Sequence, residues 1–383
     1  MKVFLSTADA SGDLHAAALL GELREREPDL EAFGLGGEAS LAAGLDPVVP
    51  QSELAIAGLF EVFGSAARVV RAYAALRRSL VTRRPDLAIL VDSPDLNLRF
   101  AAVAKRHGIP VFYYVAPQVW AWRPRRVRQL ARRTDRMAVI FPFEEALLRR
   151  AGVDATFVGH PLAGRMAELR ASLKPKEVAA ELGLDLEHPI LGLLPGSRRN
   201  EIRANLPYML ETARLLLDAI PGLQVQLPLA PTLAANPPEL PDYVRLVHGR
   251  THEAIAISTC LIAAAGTVTL EATLLGVPLV VSHRVSRLSF EIVRRLATVP
   301  SSCMTNLIAD AGVVPERIQE MARPSALAAV VARLIRVPQA RAEMCEAFAR
   351  IAEQLGTPDS ARRAAQLALD VAHLRPSGTA SSA

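Results

Sequence analysis

The chain reads as an α/β protein made of two successive doubly wound units, each a parallel sheet covered by helices. Three observations carry this reading. Short apolar runs alternate with longer helical patterns from the first residues onward. The alternation ends near His160-Pro161 and restarts at Ile190, and from Ala326 to Leu374 only helical periodicity is left. With 383 residues the chain has room for two domains of ordinary size.

The elements follow in order. The run Val3–Ser6 predicts a first strand, and Asp13–Glu27 a first helix. Further strands are predicted at Leu87–Val91, Val111–Val115, Met137–Ile140 and Thr156–Val158, with helices over Ser65–Arg83 and Leu98–His107 among them. Arg165–Leu182 is polar and helical. The second series has strands at Ile190–Leu194, Val225–Leu227, Val244–Val247, Leu261–Ala264 and Pro278–Val281, and a long helix over Asn200–Ala219. The expected division is 1–165, 166–345, helices over 346–375 that cross back to the first unit, and a small polar tail over 376–383. Ligands of such sheets bind beyond the carboxyl ends of the strands, so a cleft between the two units is the expected site.

Composition narrows the classes. Hydrophobic residues are 51% and charged residues 22%, a globular balance that excludes a disordered chain. Cys260, Cys303 and Cys345 are scattered and form no CxxC, which argues against a disulfide framework and a structural zinc. The start, Lys2 to Ser6, is strand-like, so no secretory leader is expected. The uncharged stretch between Glu253 and Glu271 is broken by Ser258, Thr259, Gly266, Thr267 and Thr269, and reads as strand, loop and helix start, not a membrane span. The net charge of +5 suits nucleic acid, anionic lipid or a phosphorylated substrate and chooses none of them.

Seven segments are candidates for chemistry. In Leu194-Pro-Gly-Ser-Arg198 a predicted strand runs into a helix; Gly196 and Ser197 can offer backbone N–H groups to a phosphate, and Arg198 can chelate its oxygens. In Ala265-Gly-Thr-Val-Thr-Leu-Glu271, Gly266 permits close approach and Thr267 can cap a helix. Glu271, one turn later, can accept ribose hydroxyls. Ser11-Gly12-Asp13-Leu14-His15 follows the first strand and reads as a turn and cap with two polar groups at a strand's carboxyl end. Asp92-Ser-Pro-Asp-Leu-Asn97 holds two carboxylates, one of which can act as general base. Gly34-Leu-Gly-Gly-Glu-Ala39 fits GxGxxA formally but follows the second strand-like run, which argues against a dinucleotide fingerprint. Trp120, Trp122 and Arg123 precede an Arg-rich helix. Leu59, Phe60, Val62 and Phe63 precede a helix bearing Arg68, Arg71, Arg77 and Arg78. The first segment suits nucleic acid or anionic lipid and the second a membrane interface or an acyl chain, and either is also an ordinary core stripe with a solvated Arg face.

Taken in order, Ala10-Ser-Gly-Asp13, Asp92 to Asn97, Tyr114-Val-Ala-Pro-Gln-Val-Trp-Ala-Trp-Arg123, Phe157-Val-Gly-His-Pro-Leu162, Leu193 to Arg198 and Gly266 to Glu271 resemble the lipid-A-disaccharide synthase family from about residue 2 to about residue 320. The resemblance implies a glycosyltransferase B fold, with two Rossmann-like domains facing across a cleft and a helical tail. It implies inverting transfer of 2,3-diacylglucosamine from its UDP derivative to the 6-hydroxyl of 2,3-diacylglucosamine 1-phosphate (lipid X), with UDP as leaving group. It also implies a cytoplasmic enzyme, peripheral on the inner face of the inner membrane. Asp95 is the implied base, Asp13 the second choice, and His15 an orienting or relaying group. Ser11 and Gly12 fall on the acceptor side. Gly196, Ser197, Arg198, Gly266, Thr267, Glu271, Asn306 and Gln319 fall on the donor side. No metal motif is present and no cofactor is expected, so Arg198, backbone amides and helix dipoles are left to stabilise the diphosphate. A homodimer is left open. Asp9, Ala265, His283 and Met304-Thr305 depart from the residues usual in the family.

Two rival readings share or replace this fold. A peptidoglycan N-acetylglucosamine transferase or a UDP-sugar 2-epimerase would use the same architecture, and the tryptophan segment and Ser93 to Asn97 count against both. A non-catalytic nucleic-acid binder would use the Arg-rich helix and leave two nucleotide-type turns idle, so nucleic acid is not an expected partner.

Overall fold

The computed structural model describes residues 1–53, 62–117, 124–229, 233, 237–284, 301–356 and 359–373. The chain divides into two compact units, Met1–Pro161 with Thr357–Ala383, and Leu162–Gly356.

In the first unit β1 (Lys2–Ser6), β2 (Glu31–Leu35), β3 (Asp46–Pro47), β4 (Leu87–Val91), β5 (Val111–Tyr114), β6 (Arg136–Val139) and β7 (Ala155–Phe157) form one parallel sheet in the order β3-β2-β1-β4-β5-β6-β7. Every residue of β4 is buried, as a central parallel strand covered on both faces demands. The helices are α1 (Ala10–Arg26), α2 (Glu38–Ala42), α3 (Val62–Arg83), α4 (Pro94–Arg106), α5 (Pro124–Arg133) and α6 (Pro142–Arg150). Phe4 anchors the core, edge-on to Phe33 at 5.7 Å and to Phe100 at 5.4 Å.

The second unit repeats the plan. After α7 (Pro161–Ser172) and α8 (Pro175–Leu182) come β8 (Ile190–Leu194), α9 (Arg199–Ala219), β9 (Gln224–Leu229), β10 (Val244–His248), α10 (Thr251–Ala256), β11 (Cys260–Ala263), α11 (Thr267–Leu275), β12 (Leu279–His283), α12 (Met304–Ala309) and β13 (Glu316–Ile318). The sheet order is β10-β9-β8-β11-β12-β13, all parallel. Helices α13 (Pro324–Arg336) and α14 (Pro338–Gln354) follow, and α15 (Ser360–His373) returns to the first unit. There it packs on α1, β4, β5 and β6 through buried Ala364, Ala365, Ala368, Leu369 and Val371.

Several local expectations change. Residue 345 falls inside α14, which belongs whole to the second unit. The Arg165–Leu182 pattern is two helices, separated before Pro175. The first helix begins at Ala10, because the Asp9 side chain accepts the Gly12 N–H at 2.8 Å and caps it; Ser11 and Asp13 lie inside its first turn. β3 and β13 are edge strands of two and three residues, too short to show an alternation. All three cysteines are free thiols.

Leu59, Phe60, Trp120, Trp122 and Arg123 lie outside the described residues, and Val62 and Phe63 are described only as backbone at the start of α3. Further along α3, Ala72, Leu76 and Leu80 are buried while Arg68, Arg71, Arg77 and Arg78 are exposed. On α5, Val127 and Leu130 face the core. Arg126 pairs with Asp95, and Arg133 donates to the Leu98 carbonyl at 3.0 Å, so part of this basic helix is committed within the unit. No described helix is long and apolar enough to cross a membrane.

Candidate active site

Each sheet has one switch point, where the strand order turns back on itself: between β1 and β4 in the first unit, and between β8 and β11 in the second. The loops leaving those strands splay apart there and open a crevice at the carboxyl edge. The sequence motifs map onto these loops. Asp9 to His15 follows β1, and Asp92 to Asn97 follows β4. Pro195 to Arg198 follows β8, and Ala265 to Glu271 follows β11.

At the first switch point the backbone of Asp92 and Ser93 is left-handed, with φ of 44° and 45°. Such a pair of non-glycine residues persists only when its surroundings hold it. Here the Asp92 carbonyl accepts from Asn97 Nδ2 at 2.8 Å and from the Tyr113 hydroxyl at 2.5 Å, and the Asp92 N–H donates to the Tyr114 carbonyl at 3.1 Å. Ser93 Oγ donates to Asp9 Oδ2 at 2.9 Å and ties the two loops together. Burial and the nearby Asp9 charge push the Asp92 carboxyl up to about 6. Ser6 Oγ, Thr7 Oγ1 and Asn97 Oδ1 are buried beside these loops without a hydrogen-bond partner, a concentration of unmet polar capacity that suits a ligand's hydroxyls.

The candidate acids and bases separate clearly. Asp13 is 5% exposed, and its carboxylate accepts the N–H groups of Gly37 at 2.7 Å, Ala39 at 3.0 Å and Ser40 at 3.2 Å, and the Ser40 hydroxyl. It caps α2 from outside, because Gly37 at the cap position has no side chain. The GxGxxA segment does run from strand to helix, and its amides are spent on Asp13. Asp13 is therefore a structural carboxylate, and the second-choice role in proton transfer passes from it. Asp95 sits in the exposed first turn of α4, paired with the Arg126 guanidinium. His15 is half-buried, edge-on to Tyr114 at 6.2 Å. His160, against Phe141 at 5.0 Å, is held neutral: burial and His15 lower its pKa to about 3. Ser11 is exposed and Gly12 buried; a Cβ at Gly12 would stand 2.4 Å from Thr7 Oγ1, so a larger residue there requires the Thr7 side chain to move.

At the second switch point Gly196 has φ of +125°, which opens the turn after β8. The N–H groups of Ser197 and Arg198 both donate to Glu201 Oε2, at 2.9 and 3.2 Å. A carboxylate thus occupies the anion seat at the start of α9. The Arg198 side chain is largely exposed, 3.7 Å from Glu201. Across the switch point Gly266 and Thr267 are exposed, and a Cβ at Gly266 would meet nothing within 4 Å, so a ligand can lie on that backbone. The helix cap is Gly266 and not Thr267, which leaves the Thr267 hydroxyl outside the capping role. Glu271 is mostly buried and 3.3 Å from His252 Nε2, a partner on α10 that no local motif announces.

Asn306 and Gln319 lie on the β12–β13 side of the same sheet. Asn306 is buried; its amide donates to Val314 O at 2.9 Å and Glu316 Oε1 at 2.8 Å, and accepts from Val314 N–H at 2.8 Å. It braces a loop and has both donors engaged. Glu316 also takes Ser302 Oγ at 2.6 Å and the Ser301 hydroxyl, and these hydrogen bonds hold its carboxyl below the usual range despite burial. Gln319 is buried with a left-handed φ of 54°. Sequence reasoning missed a further bracket. Asn205 of α9 donates to Pro195 O at 2.9 Å and accepts from Tyr208 Oη at 2.7 Å and from the Arg284 N–H at 2.9 Å. The Arg284 guanidinium lies over the Tyr208 ring at 4.3 Å. This bracket joins the turn after β8 to the end of β12, and an Asn in an amphipathic helix gives no sign of it. Among the described residues no group of three or more His, Cys, Asp or Glu is placed to hold a metal ion.

Two doubly wound units, each a parallel sheet covered by helices, define a protein of the glycosyltransferase B type of fold. Solved structures agree on the fold. The calicheamicin glycosyltransferase CalG4 superposes with a TM-score of 0.62 at 16% identity, covering 98% of this chain and 99% of that one. The UDP-GlcNAc 2-epimerase from Neisseria meningitidis gives 0.65 at 12% identity, covering 97% and 100%. Sequence decides within the fold: the lipid-A-disaccharide synthetase family profile matches residues 3–371, and the lipid-A-disaccharide synthase of Geobacter metallireducens is 41% identical over 379 residues, 97% of each chain. The chain belongs to the lipid-A-disaccharide synthetase family, and is an enzyme of that family.

Proposed function

We propose that the chain transfers 2,3-diacylglucosamine from UDP to the 6-hydroxyl of lipid X, with inversion and without a metal, at the cytoplasmic face of the inner membrane. The observation that carries this is the placement of the family's motifs. The carboxylate-bearing loops flank the first switch point, and the Gly196–Arg198 and Gly266–Glu271 turns flank the second. The first suits activation of a hydroxyl, and the second suits a diphosphate and a ribose. Arg198 and the Ser197, Arg198 and Thr267 amides supply the positive potential that a departing diphosphate needs. Asn306 acts by bracing the loop ahead of β13. The exposed arginines of α3 with Val70, itself 65% exposed, suit an anionic lipid surface.

The test is UDP release from UDP-2,3-diacylglucosamine in detergent and EDTA, with and without lipid X. Release that requires lipid X, persists in EDTA and yields a disaccharide by mass is the expected result. Release without lipid X, or none from protein that binds UDP, sends the assignment to another acceptor. Vesicle flotation of a variant with Leu59, Phe60, Val62 and Phe63 made polar checks the membrane part: recovery with anionic vesicles should fall while UDP binding stays.

A further inference from the structure

Along the buried face of α9, Ile202, Leu206, Met209, Ala213 and Leu216 pack as those of an amphipathic helix do. Thr212 and Asn205 interrupt that face, and they differ in where their bonds go. The Thr212 hydroxyl donates to the Tyr208 carbonyl at 2.7 Å, inside its own helix. Asn205, wholly buried, spends its amide on the ligand end of the sheet. Its Nδ2 donates to the Pro195 carbonyl at 2.9 Å. Its Oδ1 accepts from the Arg284 N–H at 2.9 Å and from the Tyr208 hydroxyl at 2.7 Å, so both lone pairs are in use. Burial pushes the Tyr208 phenol up to about 12, which keeps it a donor. A leucine fills a similar space with no polar group to satisfy; what the amide adds is a hold on two loops.

Those loops flank the second switch point. Pro195 has no N–H, so its carbonyl is the main-chain handle by which the turn after β8 can be held. One residue upstream, the Leu194 carbonyl accepts from the Ala264 N–H at 2.8 Å. One residue downstream, Gly196 at φ +125° has no side chain to grip. Asn205 thus holds the last anchored point before the Ser197 and Arg198 amides. Through the Arg284 N–H it also holds the end of β12. There the His283 ring feels the Glu201 carboxylate, and its Nδ1 is buried without a hydrogen-bond partner. The Arg284 guanidinium, over the Tyr208 ring, donates to the Ala322 carbonyl at 2.5 Å. The Ala322 N–H in turn donates to the Gln319 carbonyl at 3.0 Å, so the bracket reaches the turn that carries Gln319.

We infer that Asn205 is a positioning residue for the donor's diphosphate. It acts through the Pro195 carbonyl, which sets where the Ser197 and Arg198 amides stand, and through Arg284, which sets the end of β12 against them. It acts from behind these loops and bonds to neither phosphate nor sugar. This rests on the reading above that the second switch point takes the nucleotide. A misplacement of about 1 Å removes much of a hydrogen bond to a phosphate oxygen, so loss of the bracket falls on the diphosphate and spares the nucleoside.

The experiment measures UDP and uridine binding to the full chain carrying Asn205→Leu, Asn205→Ala or Thr212→Val. Leucine keeps the volume at 205. Alanine leaves room for water at the Pro195 carbonyl and decides the matter if the leucine variant does not fold. Thr212→Val removes a buried hydrogen bond from the same helix without touching either loop. Unfolding temperature should fall in all three. UDP affinity should fall about tenfold or more in the Asn205 variants, while uridine affinity stays within about twofold of wild type. The kcat/KM for the UDP-sugar should follow UDP affinity, and Thr212→Val should bind both ligands within about twofold of wild type. Equal losses for UDP and uridine in Asn205→Ala, or an equal UDP loss in Thr212→Val, would show a helix that is merely loosened and would overturn the assignment. Unchanged UDP affinity in Asn205→Ala would overturn it as well. Wild-type protein that binds no UDP would instead count against the nucleotide reading on which the assignment rests.

Discussion

Among the described residues, the turns before α2 and α9 each present two or more backbone N–H groups to a carboxylate of the chain itself. In the first unit Asp13 fills the turn before α2, 5% exposed, with three amides and a hydroxyl around it. In the second unit Glu201 fills the turn before α9, its side chain 25% exposed, with two amides at 2.9 and 3.2 Å. The chemistry is the same and the depth differs. Asp13 comes from another helix, is locked by packing and closes its turn to ligands. Glu201 comes from the helix it caps, and a quarter of its side chain is open to solvent. A glycine-rich strand-to-helix turn is therefore no evidence of nucleotide binding until its amides are shown to be free or exchangeable.

The comparison can be broken most severely at Asp13. Asp13→Ala leaves three amide donors of α2 unmet in the interior and should cost about 3 kcal/mol or more. Differential scanning calorimetry should show a drop of roughly 10 °C for the first unit while UDP affinity in the second holds; a small drop would mean that water replaces the carboxylate at little cost.

Asp92 gives the next largest effect, with the opposite sign. Its carboxyl is raised above the ordinary 3.8, so its favourable contribution is full below about pH 4 and is lost as pH rises through about 6. Asp92→Asn should therefore be stabilised relative to wild type by about 2 kcal/mol at pH 8, and the gain should vanish at pH 4. Equal unfolding temperatures for the two proteins at pH 8 would show that Asp92 is not destabilised by its site.

Glu201→Gln sharpens the other half. A neutral side chain yields the Ser197 and Arg198 amides more readily and removes a like charge, so UDP should bind about tenfold tighter by isothermal titration, or about 1.4 kcal/mol. Weaker binding would make Glu201 part of the seat and not its occupant. The smallest change is expected at His252, which touches only the flank of Glu271. His252→Ala should alter UDP affinity by less than about threefold, where Glu271→Ala loses about tenfold; equal losses would place His252 against the ligand itself.

The fold was legible because its signals are local. All-apolar runs such as Leu87–Val91 and Ile190–Leu194 are central parallel strands and appear at their predicted positions, and helical periodicity is plain in the stretches between them. The switch points follow from strand order, which a sequence does not print, yet the motifs that flank them were recognisable by residue type. Long-range bonds were not legible. Asp13 reaches residues 24 to 27 positions away, and Asn205 reaches Arg284. Residue types alone do not separate Asp92 from Asp95 within one short motif, and only the third dimension shows that Arg126 pairs with Asp95.

The return of α15 to the first unit sets an order on biosynthesis. Its buried alanines and Leu369 complete the layer over α1, β4, β5 and β6, and the whole second unit is translated before they emerge. N-terminal domains generally fold as the ribosome releases them. This one must wait with α1 and three central strands uncovered, so the half of the enzyme that carries the carboxylates is the last to close, and a nascent chain has a period of exposed apolar surface in which chaperones can bind it.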